Sequence, residues 1–223
     1  MGKKGHYKSI NLESLVKDYR KEIVDEFPRL SEENPNTLGD TFEVFIARQV
    51  FGPIFSMSNT DIDDCFDLSK KNEQSMDLAF LPYPNELHLM EVKWRTGSKS
   101  VDHSWIDKIA NTPSFLINDI ERDKLPEFIK EKLEDFDPKR KINEVFIYLV
   151  TNCGFSDGAK EKWDLITSEA QEKYKELNLT FRYIDHNGVY DEYQRAQTTE
   201  ELPTVKMKKE ELKTQENNRF FDL

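Results

Sequence analysis

Met76–Trp94, MDLAFLPYPNELHLMEVKW, is the most apolar stretch of a strongly polar chain, yet it holds an aspartate, a glutamate and a lysine. Its two halves read as β-strands joined at Pro82-Tyr83-Pro84-Asn85, because proline and asparagine form turns and proline cannot serve a central ladder. Pairing the halves antiparallel about Pro84 sets Leu81 against Leu87, Ala79 against Leu89 and Asp77 against Glu91. Direct cross-strand neighbours have Cβ atoms roughly 5 Å apart, and like charges placed there repel. Side-chain alternation puts Glu91 and Lys93 on Asp77's face and sends Met90, Val92 and Trp94 to the other.

One face of the hairpin therefore ends in Asp77, Glu91 and Lys93. A hard divalent cation such as Mg²⁺ takes oxygen ligands and keeps several waters, so two converging carboxylates at a sheet rim suit it. The lysine ammonium is a compact charge that can orient a water or steady charge developing on a phosphoryl oxygen. A lone Glu-x-Lys triplet is ordinarily a solvated pair on an edge strand. Here the flanking residues are apolar on both faces, which argues against solvent-facing positions.

Upstream, residues 11–27 put Leu12, Leu15, Val16, Tyr19, Ile23 and Phe27 at helical spacing, with Pro28 as the stop. The segment 38–52 carries Phe42, Phe45, Ile46 and Val50 on one face and predicts a second helix closed by Gly52-Pro53. Residues 54–74 are irregular and acidic, with room for one short strand at Ile54–Met57 or Cys65–Leu68. Downstream, VDHSWIDKIAN reads as a helix up to Pro113, followed by helical pieces at SFLINDI and PEFIKEKLEDF. INEVFIYLVTN is a strand, and the charged run from Ser156 to Asn178 is a long amphipathic helix capped by Ser156 and Asp157. LTFRYIDHNGVY gives a last strand and a turn. Strands alternating with helices after an initial hairpin predict an α/β fold, a mixed central β-sheet flanked by helices on both faces.

With 223 residues, 37% hydrophobic and 34% charged, the default is one main domain with appendages. We divide it into an N-terminal helical extension at 1–36, a core at 37–195 and a charged C-terminal tail or linker at 196–223. No run reaches the roughly 18 apolar residues of a membrane span, and MGKKGHYKSI has no apolar region after its lysines, so the expected location is the cytoplasm. Cys65 and Cys153 stand apart from any zinc spacing and read as reduced thiols. The net charge of −11 argues against a whole-surface polyanion binder, so any nucleic-acid contact must be local, metal-assisted or shared with a partner.

Asp77 followed by Glu91-Val92-Lys93 resembles the PD-(D/E)XK nuclease superfamily, whose fold is restriction-endonuclease-like. Two further segments resemble the Mrr-like restriction endonucleases within it: Gly39 to Ala47, similar to the GxxFExxxA of a leading helix, and Val145 to Lys160, similar to a strand, a Gly-Phe-Ser turn and a helix. Ile184-Asp185-His186-Asn187-Gly188 is similar to the closing strand and turn. Met76 stands where many relatives carry proline, and Glu91 where many Mrr-like proteins carry glutamine.

The resemblance implies a Mg²⁺-dependent endodeoxyribonuclease, with Mn²⁺ as a substitute, acting in restriction or defence against foreign DNA. Asp77, Glu91 and the backbone carbonyl of Val92 would hold the metal, Lys93 would orient the attacking water, and the product would keep a 5′-phosphate. Glu43, by itself a polar residue at the edge of an amphipathic helix, becomes an auxiliary carboxylate and metal ligand by the same resemblance. Arg95, Lys99 and Lys108, with Trp94, lie just beyond the motif as candidates for DNA phosphate contacts. His103 and the short PKRK at 138–141 offer weaker signals, and His6, His88 and His186 show no partner pattern. One cleavage site per domain implies a homodimer or sequential nicking for a double-strand break, and the acidic balance implies a fused or separate DNA-recognition or motor module. The alternatives are a Holliday-junction resolvase or repair nuclease of the same fold, and a catalytically inactive nuclease-like interaction module.

Overall fold

The computed structural model describes residues 11–27, 30, 37–57, 76–83, 86–96, 100–114, 144–175 and 177–200. The expectations for Cys65–Leu68, SFLINDI, PEFIKEKLEDF, PKRK, Lys99, the Pro84-Asn85 turn and the tail beyond residue 200 lie outside these residues.

Four strands form one mixed sheet in the order β1-β2-β3-β4. β1 (Leu78–Tyr83) and β2 (Glu86–Lys93) are the expected hairpin, and β3 (Glu144–Thr151) and β4 (Asn178–Ile184) extend it in parallel. Parallel neighbours need long crossovers, and helices supply them: α4 (His103–Asn111) lies between β2 and β3, and α5 (Asp157–Lys173) between β3 and β4. The central strands β2 and β3 are covered on both faces, which is why they read as apolar runs.

The pleat divides the core in two. Leu78, Phe80, Met90, Val92, Tyr148 and Val150 face a layer made by α1 (Leu12–Ile23), α2 (Thr37–Phe45), a π-helical segment (Ile46–Phe51), α3 (Gly52–Ile54) and α6 (His186–Glu200). Ala79, Leu87, Leu89, Val145, Ile147 and Leu149 face α4 and α5. Helix α1 is not peripheral: Tyr19 meets Phe45 edge-on with ring centroids 5.6 Å apart. No helix among the described residues is long and apolar enough to cross a membrane.

Three expectations are corrected. Gly52-Pro53 does not end the second helix; the chain winds through the π-helical turn and continues as α3. In that turn the Gly52 N–H donates to the Ala47 carbonyl, five residues back, and the wider winding accommodates the proline that a regular α-helix would exclude. Ile54–Met57 is accordingly the helix end rather than a strand. Finally, the HNG segment is no turn but the start of α6, whose Asn187 and Gly188 N–H groups donate to Asp185 Oδ1 at 3.1 and 3.0 Å. A Cβ at Gly188 would lie 3.0 Å from Ile184 Cγ2, so a larger residue would have to push that methyl aside. Helix α6 runs past residue 195 and buries Ala196.

The α3 terminus carries a measurable strain. Ser56 has φ 53°, in the left-handed region, while Met57 N–H reaches the Gly52 carbonyl (2.9 Å) and Ser56 N–H the Pro53 carbonyl (3.0 Å). This is the glycine position of a helix-ending motif filled by serine. Ser56→Gly is expected to raise stability by about 1 kcal/mol, read as a shift in urea midpoint; a loss of stability would contradict the assignment.

Candidate active site

The site forms where the hairpin ladder runs out. Leu78 pairs with Met90, Ala79 with Leu89 and Phe80 with His88, the register expected from the sequence, with an irregularity between Phe80 and Tyr83 near the turn. Asp77, one residue before β1, continues the pairing with its side chain: Oδ2 accepts the Val92 N–H at 2.7 Å. That bond fixes the carboxylate beside the last residues of β2.

Lys93 joins the two acids. Its Nζ lies 2.9 Å from Asp77 Oδ2 and 2.6 Å from Glu91 Oε1. Both oxygens contact one ammonium, so the two carboxylates converge on a single point between the strands. Glu91 is fully buried, with a side-chain exposure of 0%. Its Oε1 also accepts from Lys108 Nζ at 2.7 Å, and Oε2 lies 2.6 Å from the same nitrogen. Among the described residues Oε2 nevertheless takes no directional hydrogen bond.

The electrostatics follow from this crowding. Burial raises the Glu91 pKa, the neighbouring Asp77 charge raises it further, and the two lysines act against both. Burial alone would lower Lys93, but the Asp77 and Glu91 carboxylates outweigh it and hold the ammonium above the ordinary lysine value. Lys93 is thus a fixed positive charge. It can orient a nucleophile or offset charge on a phosphate, and it is a poor proton acceptor.

The loop after β2 is pinned by side-chain mimicry of a strand. Asn152 follows β3, and its Oδ1 accepts the Arg95 N–H while its Nδ2 donates to the Arg95 carbonyl, both at 2.8 Å. Val101 N–H reaches the Gly154 carbonyl at 3.1 Å, tying the start of α4 to the Gly-Phe-Ser turn. Asn152→Ala should cost about 1–3 kcal/mol, because two backbone groups lose their partners. A denaturation curve within about 0.5 kcal/mol of wild type would show that the clamp contributes nothing.

The structure redistributes the other candidates. Arg95 is half-buried, donating to the Ser100 carbonyl at 2.9 Å, pairing with Asp102 at 3.3 Å and covering the Trp105 ring at 5.3 Å. Trp94 belongs to the opposite core layer, edge-on to Phe42 at 5.2 Å. Lys108 points at Glu91 rather than outward. All three, candidates for DNA contacts by sequence, are engaged by other groups of the protein. Glu43 is half-buried on α2, the helix packed on the Met90 and Val92 face, opposite to Glu91. Among the described residues no group of three or more His, Cys, Asp or Glu is arranged to hold a metal, so Glu43 does not complete a cluster with Asp77 and Glu91. His103 is exposed at the start of α4.

Two features had no readable signal: the Asn152 clamp, and the partners of His88. The His88 ring is buried against Phe146, with centroids 4.5 Å apart. Its Nε2 is 3.3 Å from Glu86 Oε2 and its Nδ1 3.0 Å from the Tyr148 hydroxyl. Burial, followed by the Arg182 charge, lowers its pKa to about 4, so near neutrality it is uncharged and the Glu86 contact is a hydrogen bond rather than an ion pair. A carboxylate only accepts, which assigns the proton to Nε2 and leaves Nδ1 to accept from Tyr148.

The donor set at Asp77 and Glu91, two carboxylates converging on one ammonium, is of the oxygen type that a hard divalent cation takes, with Glu91 Oε2 met by the Lys108 ammonium. No family model, curated protein sequence or solved structure matches this chain.

Proposed function

We propose that this protein is a metal-dependent endonuclease that hydrolyses DNA phosphodiester bonds, with a restriction-endonuclease-like core. The observation that carries the reading is the convergence of Asp77, Glu91 and Lys93, two carboxylates bridged by one ammonium at 2.9 and 2.6 Å. The order of the motif-bearing elements, α2, the hairpin, β3 and α5, agrees with the superfamily that the sequence resembles.

Asp77, Glu91 and the Val92 carbonyl would hold Mg²⁺ or Mn²⁺. The bound ion would supply a water of lowered pKa and neutralise charge on the attacked phosphate. The Val92 N–H and the Lys93 ammonium fix Asp77 in place. Lys93, charged and held at the strand end, positions the nucleophile and offsets charge building on the phosphoryl oxygens. The Asn152 clamp keeps the chain beyond Lys93 in register, so the ammonium does not drift from the acids. Defence against foreign DNA is the setting proposed, with a second copy or a recognition module supplying DNA affinity that the acidic chain lacks.

A second reading has its own observation. Asp77 and Glu91 are balanced by Lys93 and Lys108, so the same four groups could serve as a structural ion network in a non-catalytic interaction module. Incubating the protein with linear, supercoiled, single-stranded and branched DNA, plus Mg²⁺ or Mn²⁺ and beside Asp77→Ala and Lys93→Ala, separates the two. The nuclease reading predicts cleavage that needs metal and both side chains. Equal cutting by all three proteins, or no cutting of any substrate by folded wild type, would sink it. A preference for branched DNA would identify a junction resolvase.

A further inference from the structure

Lys108 is a cation at the site that the strand motif does not call for. It rises from α4, and its ammonium contacts both oxygens of Glu91, 2.7 Å from Oε1 and 2.6 Å from Oε2. A cation touching both oxygens of one carboxylate lies on the open side of the group, where a metal ion would bind it. Mg²⁺ needs ligand oxygens at about 2.1 Å, and an ammonium already in contact with the same two oxygens occupies that approach. Charge adds to the conflict, since the two acids are neutralised by the two lysines.

Lys93 cannot play the same part. It spans Asp77 Oδ2 and Glu91 Oε1, and among the described residues Oε2 is met by Lys108. Asp77 Oδ1 takes no hydrogen bond among the described residues, so this acid can accept a cation without first losing a partner. The backbone of α4 is held independently of Lys108: Lys162 on α5 binds Asp107 at 2.8 Å and the His103 carbonyl at 3.1 Å. The Lys108 side chain is 29% exposed, so it has a route to solvent that leaves the helix in place.

We propose that Lys108 is a built-in counterion that holds Glu91 in place of the divalent ion and must swing away for the ion to bind. It is a positioning residue that sets the metal affinity of the site, and this rests on the metal-site reading given above. Removing its charge leaves Glu91 open and one negative charge in excess, which strengthens cation binding.

The test is calorimetric titration of chelator-treated protein with Mn²⁺, comparing wild type, Lys108→Met, Lys108→Gln and Asp77→Asn. Both Lys108 variants are expected to bind at least about tenfold more tightly than wild type, about 1.4 kcal/mol, and to gain more in melting temperature from the metal. Two variants are used so that one failing to fold leaves the other to decide. In wild type, amine-selective NMR should show the Lys108 ammonium signal shift or vanish on Mg²⁺ saturation. Asp77-dependent binding in wild type with no gain in either Lys108 variant, or an unmoved Lys108 signal, overturns the counterion role alone. Absence of Asp77-dependent binding in every protein overturns the metal-site reading and this inference with it.

Discussion

If the protein is the nuclease proposed, Lys93→Met is expected to lower the rate of DNA cleavage by about 10²–10³ while leaving the apparent affinity for DNA nearly unchanged, the range seen when one preorganised donor is removed from a reacting centre. The physical reason is placement. The Lys93 ammonium is kept charged by Asp77 and Glu91, and its side chain is 27% exposed, so it faces both the acids and the solvent from which a phosphate would arrive. A group of this kind acts on charge that grows in the transition state, so its loss is read in kcat rather than in KM. The same substitution should also reduce stability by about 3 kcal/mol, the lower end of the cost of breaking a buried pair. Lys108 still compensates Glu91, which keeps the loss from being larger. A variant that folds and cuts at the wild-type rate would show that Lys93 is structural only.

The second large effect concerns pH and lies away from the reacting groups. His88 is held neutral, its pKa lowered to about 4 by burial and by Arg182. The hydroxyl it binds belongs to Tyr148, which burial pushes up to about 12. Its other neighbours are Glu86 and the rings of Phe55 and Phe146. Because the folded pKa lies below the unfolded value, the stability it confers is complete above pH 6.5 and is lost as pH falls from 6.5 towards 4. The full difference is about 3 kcal/mol. Glu91, with its raised pKa, contributes a slope of the opposite sign above its ordinary value, so wild type by itself is a poor gauge. The informative comparison is His88→Gln, which keeps hydrogen-bonding groups and cannot titrate. Its unfolding free energy should fall less than that of wild type between pH 6.5 and 4, by about 3 kcal/mol; parallel curves would show that His88 carries a proton in the folded protein.

The hairpin was legible because its information is local. Prolines mark the turn, alternation sorts the faces, and the pairing about Pro84 holds from Leu78 to Phe80. Near the turn it slips, since Tyr83 pairs with Glu86 and no pattern in the sequence reports such an irregularity. Helix α1 was readable for the same reason, its apolar positions at Leu12, Val16, Tyr19 and Ile23 all being buried. The π-helical turn was not. Gly52-Pro53 is a strong stop signal on local chemistry, and it is overridden by the wider winding that precedes it.

At the site, Asp77, Glu91 and Lys93 could be brought together from strand geometry alone. Lys108 could not, because its position depends on how α4 packs across the sheet, a tertiary fact. Arg95 looked like a surface cation, yet Asp102 and Trp105 on the next element claim it. Basic residues beside a strand end are ambiguous in sequence for that reason: whether they face a ligand or a neighbouring carboxylate is decided by the element that follows.

The most direct measurement is diffraction from crystals soaked in Mn²⁺, with data collected to show its anomalous signal. A peak is expected within ligand distance, about 2.2 Å, of Asp77 and Glu91 carboxylate oxygens, with the Lys108 ammonium moved off Glu91. An ordered crystal with no peak between these two residues at saturating Mn²⁺, Lys93 still bridging the acids and Lys108 still on Glu91, would contradict the metal site.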